Sequence, residues 1–129
     1  MDSPEAQVAS LPVIIVADDL IWSSRLRAAT ERAGTTSLTV RSTKELVDAL
    51  KGTSAEAAVI VDLNGRAYDG VEAVRFASEA GHRVLAVGQH EDTDLRRRAL
   101  AAGARRVFSY NKLFSDGPAV VASLLEGKL

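Results

Sequence analysis

Three carboxylates are the residues of this chain best placed to do chemistry. Asp18 and Asp19 follow directly on an apolar run, Val13-Ile14-Ile15-Val16-Ala17, and Asp62 ends a second run that starts at Ala57. If the two runs are neighbouring strands, the three side chains converge on one crevice. Apposed negative charge is costly unless a cation sits among the groups or one carboxylate keeps its proton. Mg2+ takes hard oxygen ligands and retains several waters, so two carboxylates and a backbone carbonyl would suit it. Acidic residues also serve as helix N-caps, and Asp18 and Asp19 can be read as caps with no further role. Asp62 at the matching end of another strand weighs toward a site.

The elements that must position these residues alternate along the chain. Val13 to Ala17 is a continuous β-branched run, the pattern of a strand buried on both faces. Trp22, Leu26, Ala29 and Ala33 recur at helical spacing before Gly34. Leu38 to Val40 reads as a strand, and Ser42-Thr43-Lys44-Glu45 as the capping box of a helix ending at Gly52. Ala57 to Asp62 is the third strand, followed after Asp69-Gly70 by a helix carrying Val71, Val74 and Ala77. Val84 to Val87 is the fourth strand, with a helix from Asp92 or Thr93 to Ala102. Arg106 to Ser109 is the fifth strand, and Asp116, Gly117 and Pro118 open a terminal helix. Five strands alternating with helices predict an α/β fold: a doubly wound, five-stranded parallel sheet of flavodoxin-like type. Strand order 2-1-3-4-5 makes the first and third strands adjacent, with the ligand crevice beyond their C-terminal ends.

Composition bounds the rest. The 129 residues suit one domain, expected over residues 12–129, with residues 1–11 as a flexible tail. Sixteen basic against seventeen acidic residues give a formal charge of −1, which calls for neither nucleic acid nor an anionic membrane. The chain has no cysteine, excluding disulfides and thiolate chemistry. No apolar run approaches the ~20 residues of a membrane span, and residues 1–10 lack the basic start and apolar centre of a signal peptide. A cytoplasmic location is expected.

The ordered landmarks resemble those of response regulator receiver domains, chemotaxis-Y-like in type. Ala17-Asp18-Asp19 is similar to the acidic pair that follows their first strand. Asp62-Leu63-Asn64-Gly65-Arg66-Ala67-Tyr68-Asp69-Gly70 resembles their phosphoacceptor loop, and Ala102-Gly103-Ala104 the small-residue step before their fifth strand. The resemblance spans roughly Val13 to Leu125. It implies Asp62 as phosphoacceptor, with Mg2+ held by Asp18, Asp19, Asp62 and the backbone carbonyl of Asn64.

The same resemblance exposes departures. Gly88 stands where receivers carry a Thr or Ser hydroxyl at the end of the fourth strand. Tyr110 replaces the lysine after the fifth strand, Asn111 the proline beyond it, and Val107 the switching aromatic. One preorganised donor is worth about 3–4 kcal/mol in enzymes, so losing a hydroxyl and a cation should impair phosphoryl transfer, which depends on positioning and charge neutralisation. The backbone N–H of Gln89, with Lys112 and Arg66, are the candidates to compensate. The pattern implies an atypical, stand-alone pseudo-receiver: a regulatory protein-binding module, not an enzyme beyond slow self-phosphorylation and dephosphorylation. A working Mg2+-dependent phosphoacceptor in a two-component phosphorelay is the alternative. A small cofactor-binding flavodoxin-like protein is a lesser one, since no glycine-rich phosphate loop follows the first strand.

Arg96, Arg97 and Arg98 on the fourth helix, with Arg105 and Arg106 leading into the fifth strand, form an arginine-rich region. Charged helical faces are commonly just solvated, and successive helical residues point about 100° apart. The resemblance places Arg96, Arg97, Arg105 and Arg106 on the face receivers use for dimers and output. Like charges there should disfavour the usual symmetric dimer and suit an acidic protein surface. The partners implied are a sensor kinase or a downstream signalling protein. Trp22 is expected to be a packing residue, His82 to precede the fourth strand, and His90 to lie in a loop near the crevice.

Overall fold

The structure is a computed structural model that describes residues 11–53 and 55–129. The expected tail therefore lies, except for Leu11, outside the described residues. Five parallel strands, β1 (Val13–Val16), β2 (Ser37–Val40), β3 (Ala58–Asp62), β4 (Arg83–Gly88) and β5 (Arg106–Ser109), form one sheet in the order β2-β1-β3-β4-β5. The helices between and after them are α1 (Leu20–Arg32), α2 (Thr43–Lys51), α3 (Gly70–Glu79), α4 (Thr93–Ala102) and α5 (Tyr110–Leu125). The doubly wound fold is as the sequence pattern predicts.

Strand alternation sorts the core into two layers. Ile14, Val16, Val59, Val61, Val84 and Ala86 face the layer built with Leu46, Leu50, Val71 and Val74 of α2 and α3. Val13, Ile15, Ala58, Ile60, Leu85 and Val87 face the opposite layer, with Leu26 of α1 and Val121 and Leu124 of α5. Both faces of β1 and β3 are buried, which is why their sequences run apolar without alternation. Each fully buried Ile or Leu contributes on the order of 1.5–3 kcal/mol, so the central strands anchor everything carried at their ends.

The N-cap forms, with the Glu45 amide donating to Ser42 Oγ (3.2 Å), while Glu45 Oε1 reaches one residue past the cap to accept from the Arg41 amide (2.9 Å). The expected terminal helix needs correction, because α5 starts at Tyr110, capped by Ser109, whose Oγ accepts from the Lys112 amide (3.1 Å). The backbone leaves helical geometry at Asp116 (φ −128°, ψ 23°) and resumes with Pro118 near the start of the second segment. A proline fixes φ and lacks a donor, so it suits a helical first turn. The pattern Asp116-Gly117-Pro118 thus marks a restart within α5. His82 does more than precede β4, because its Nδ1 accepts the Ala57 amide (2.9 Å) and so braces the start of β3.

Candidate functional site

Register brings the expected residues to one end of the sheet. Val16 of β1 pairs with Val61, Asp62 pairs with Val87, and Gly88 pairs with Ser109. Asp18, Asp19, Asp62, Gly88 and Tyr110 therefore surround the C-terminal ends of β1, β3, β4 and β5. Asp62 is buried, with 1% of its surface exposed, although it is the group expected to carry charge.

Each acidic side chain is already engaged. Asp18 Oδ2 accepts from the backbone amides of Arg66 (2.8 Å) and Ala67 (2.6 Å), which ties the β3–α3 loop across to β1. Asp19 is the N-cap of α1, with Oδ1 accepting from the Trp22 amide (2.9 Å). Asp62 Oδ1 accepts from the Asn64 amide (3.1 Å) and makes a short contact with the Tyr110 hydroxyl. Among the described residues no group of three or more acidic or histidine side chains is gathered to hold a metal ion. The expected Mg2+ set of Asp18, Asp19, Asp62 and the Asn64 carbonyl lies at this end of the sheet, as two carboxylates beside a third at a strand end. Helix capping occupies Asp19 Oδ1 and loop bonding occupies Asp18 Oδ2, and each carboxylate keeps a second oxygen for a hard cation.

Tyr110 is more than a missing lysine. Its hydroxyl reaches both Asp62 Oδ1 and, at 3.0 Å, Asn64 Oδ1. One phenolic proton cannot fully serve two acceptors. The Tyr110 hydroxyl donates to Asp62 Oδ1 and is shared with Asn64 Oδ1, while the Asn64 amide donates to the same Asp62 oxygen. Burial raises the Asp62 pKa, Asp19 and Asp18 add to the rise, and the Tyr110 and Asn64 hydrogen bonds oppose it. Burial, with the hydrogen bond to Asp62, likewise pushes the Tyr110 phenol well above its ordinary range, so it stays a neutral donor. Where a lysine would bring positive charge to the carboxylate, Tyr110 brings none.

A second tyrosine underlies the loop. Tyr68 is buried, and its hydroxyl lies 3.0 Å from the Val16 carbonyl and 2.7 Å from the Asp62 carbonyl, joining the ends of β1 and β3. Gly65 leaves room for that ring, since a Cβ there would fall 2.1 Å from Tyr68 Cζ. Gly70 is equally constrained, because a Cβ would lie 2.8 Å from Leu63 Cα where α3 meets the strand end. The spacing from Asp62 to Asp69-Gly70 therefore has a steric cause. Sequence reasoning overlooked Tyr68; the available signal was an amphipathic phenol six residues beyond a strand-ending carboxylate.

The remaining candidates separate. Lys112 Nζ pairs with Asp116 (2.7 Å) one turn along α5, so it is committed away from Asp62. Arg66 contributes its backbone amide to Asp18, and Gln89 is exposed at the crevice rim. Gly88 is buried; a Cβ there would lie 3.3 Å from Leu63 Cδ1 and 3.7 Å from Asn64 Oδ1. Val107 packs into the core layer with Ala99 and Ala102. The arginine cluster also divides. Arg96 donates to the Val107 carbonyl (3.3 Å), Arg97 pairs with Asp94, and Arg106 lies over the Phe108 ring (5.1 Å). Arg105 lies 4.0 Å from Glu56, whose closer partner is Arg83 at 2.9 Å. Trp22 is not simply core: its ring packs on Tyr110 at 4.4 Å, beside Asp62.

No protein-family model matches the chain, and no curated protein matches it. Among solved structures, it is similar to a response regulator receiver protein from Burkholderia phymatum, with 27% identity and a TM-score of 0.75. That match covers 91% of this chain and 96% of the other. The signal receiver domain of a DNA-binding response regulator from Colwellia psychrerythraea 34H matches at 20% identity and a TM-score of 0.76, covering 91% and 99%. The beryllofluoride-activated NtrC4 receiver domain dimer matches at 20% identity and 0.77, covering 92% and 98%. The structural neighbours are receiver domains. The chain shares their fold, five parallel strands in the order 2-1-3-4-5 with five helices. No helix among the described residues is long and apolar enough to cross a membrane.

Proposed function

We propose that this receiver-type domain is an atypical regulatory module that works by docking to a sensor kinase or a downstream signalling protein. Phosphorylation at Asp62 is weak or absent, and any enzymatic activity is confined to slow self-phosphorylation and dephosphorylation. The observation that carries this reading is the Tyr110 hydroxyl on Asp62 Oδ1. An acceptor aspartate must attack as the carboxylate, and its product carries phosphoryl oxygens that need donors and positive charge. Here the carboxyl is buried with its pKa raised. Gly88 offers no hydroxyl, and Lys112 is held by Asp116. Transmission is weakened as well, because Val107 is a packed core residue with no ring to move. A cytoplasmic site of action goes with this reading.

The test is titration of Trp22 fluorescence with Mg2+ and then beryllofluoride, in the wild type and in Asp62→Asn. Trp22 is the only tryptophan and it touches Tyr110, so it reports on the site. The expected result is no saturable beryllofluoride response. A saturable response that is lost in Asp62→Asn would overturn this reading in favour of a working phosphoacceptor.

A further inference from the structure

Beside Tyr110, between the N-terminal turns of α1 and α5, lies an open cleft of about 540 Å³, within the ~300–1,000 Å³ of small-molecule pockets. Trp22, Tyr110 and Phe114 form its aromatic wall, and Gln89, His90 and Asn111 offer polar groups. Phe114 is 66% exposed, an unusual place for a large apolar ring. The Arg25 guanidinium lies 5.1 Å from the centre of the Trp22 ring and 4.7 Å from that of Phe114. Rings thus cover the cation while its in-plane N–H groups make no ion pair or hydrogen bond among the described residues. A guanidinium offers those donors as a planar fork that matches a carboxylate. A carboxylate on Arg25 would lie in the cleft that Trp22 and Phe114 wall, so an aromatic ring attached to it has aromatic surface to pack on. Glu91 also lines the cleft and disfavours ligands of higher negative charge.

The cleft connects to the buried acid through direct contacts. The Trp22 ring packs on Tyr110, and the Tyr110 hydroxyl meets Asp62 and Asn64. A ligand that moves the Trp22 ring acts on the one side chain that holds Asp62.

We propose that this cleft binds a small planar aromatic monocarboxylate, its carboxylate on Arg25 and its ring against Trp22 and Phe114, and that Tyr110 carries occupancy to Asp62. The proposal rests on the regulatory-module reading, with a ligand taking the place of the phosphoryl group as input.

The experiment titrates the intact chain with 1-naphthoate and follows the Trp22 indole N–H and the Asn64 amide by two-dimensional NMR. Saturable shifts at both are expected. Affinity should fall at least ten-fold for 1-naphthamide and in Arg25→Gln, an exposed position where the fold is retained. Tyr110→Phe should keep the Trp22 shift and lose the Asn64 shift. Absence of saturation, or equal affinity for the amide or in Arg25→Gln, overturns the binding site. An Asn64 shift that survives in Tyr110→Phe overturns the transmission. The underlying reading fails separately: an Asp62-dependent beryllofluoride response removes it whatever naphthoate does, whereas silence toward both ligands removes only the cleft.

Discussion

Burial sets the protonation chemistry of Asp62, and the Tyr110 hydrogen bond works against it. Asp62 is buried and its pKa is raised, so the folded state binds its proton more tightly than the unfolded chain does. The stability contributed by that preference is complete below the unfolded pKa and is lost as pH rises through the folded value. Asp62→Asn cannot ionise, and its amide oxygen can still accept from Tyr110. The variant should therefore be more stable than wild type near neutrality by about 1 kcal/mol, the ordinary scale of one buried substitution. The gain should shrink toward pH 4. Urea unfolding at several pH values checks this, and a variant less stable at pH 7 would refute a raised pKa. The missing groups can also be restored. Gly88→Ser with Tyr110→Lys supplies a hydroxyl and a cation. The Ser Cβ is tight only against the mobile end of Leu63 (3.3 Å). At about 3–4 kcal/mol for one preorganised donor, roughly 10²–10³-fold in affinity or rate, the double variant should gain the beryllofluoride response expected to be absent from the wild type. If it stays silent, the defect lies elsewhere than these two positions.

At the scale of elements, the β3–α3 loop is held from two sides. Asp18 binds two of its amides, and Tyr68 lies beneath it, bonded to the ends of β1 and β3. Gly65→Ala tests this coupling, because the new methyl would overlap the Tyr68 ring at 2.1 Å. Either the ring leaves or the loop moves, and both break buried hydrogen bonds worth about 1 kcal/mol each, with more for the carbonyls left unpaired. A loss of about 2–4 kcal/mol is expected by thermal or urea unfolding, accompanied by exposure of Tyr68. A neutral effect would mean that the loop is not pinned as described. The contrast with the chain's legible features is physical. Apolar runs such as Val13–Val16 and Ala58–Asp62 announce buried parallel strands, since burial on both faces leaves a continuous apolar signature. Asp18, Asp19 and Asp62 could be placed at one crevice because parallel register aligns strand ends. Their partners could not be read, because Asp18 bonds to amides 48 and 49 residues away, and backbone groups carry no side-chain identity. Tyr110 looked like a loss for a related reason. Its type shows that positive charge is absent, while its reach to Asp62 depends on where α5 begins, and the Asp116-Gly117-Pro118 signal drew that start too late.

For the molecule as a whole, the question is what the α4–β5–α5 side can meet. Arg96 bridges α4 to β5, Arg106 lies along Phe108, and Lys112 stands on the first turn of α5. Asp94 and Asp116 pair with Arg97 and Lys112, leaving Arg96 and Arg106 without a carboxylate among the described residues. A two-fold symmetric interface sets the same patch against itself. Two like charges at 4 Å cost about 1 kcal/mol in water and about 4 kcal/mol at the effective dielectric of a protein surface. A dimer through this side would accumulate several such contacts and would lose part of the repulsion only when salt screens it. Sedimentation velocity at micromolar concentration should therefore show a monomer at low ionic strength. Any weak association should strengthen with added salt, opposite to an interface built on ion pairs. Arg106→Glu should relieve the repulsion and, by supplying a partner for the opposing Arg96, raise self-association. A tight wild-type dimer that Arg106→Glu dissociates would show that these arginines hold copies together, and the acidic-partner reading of this side would then fall.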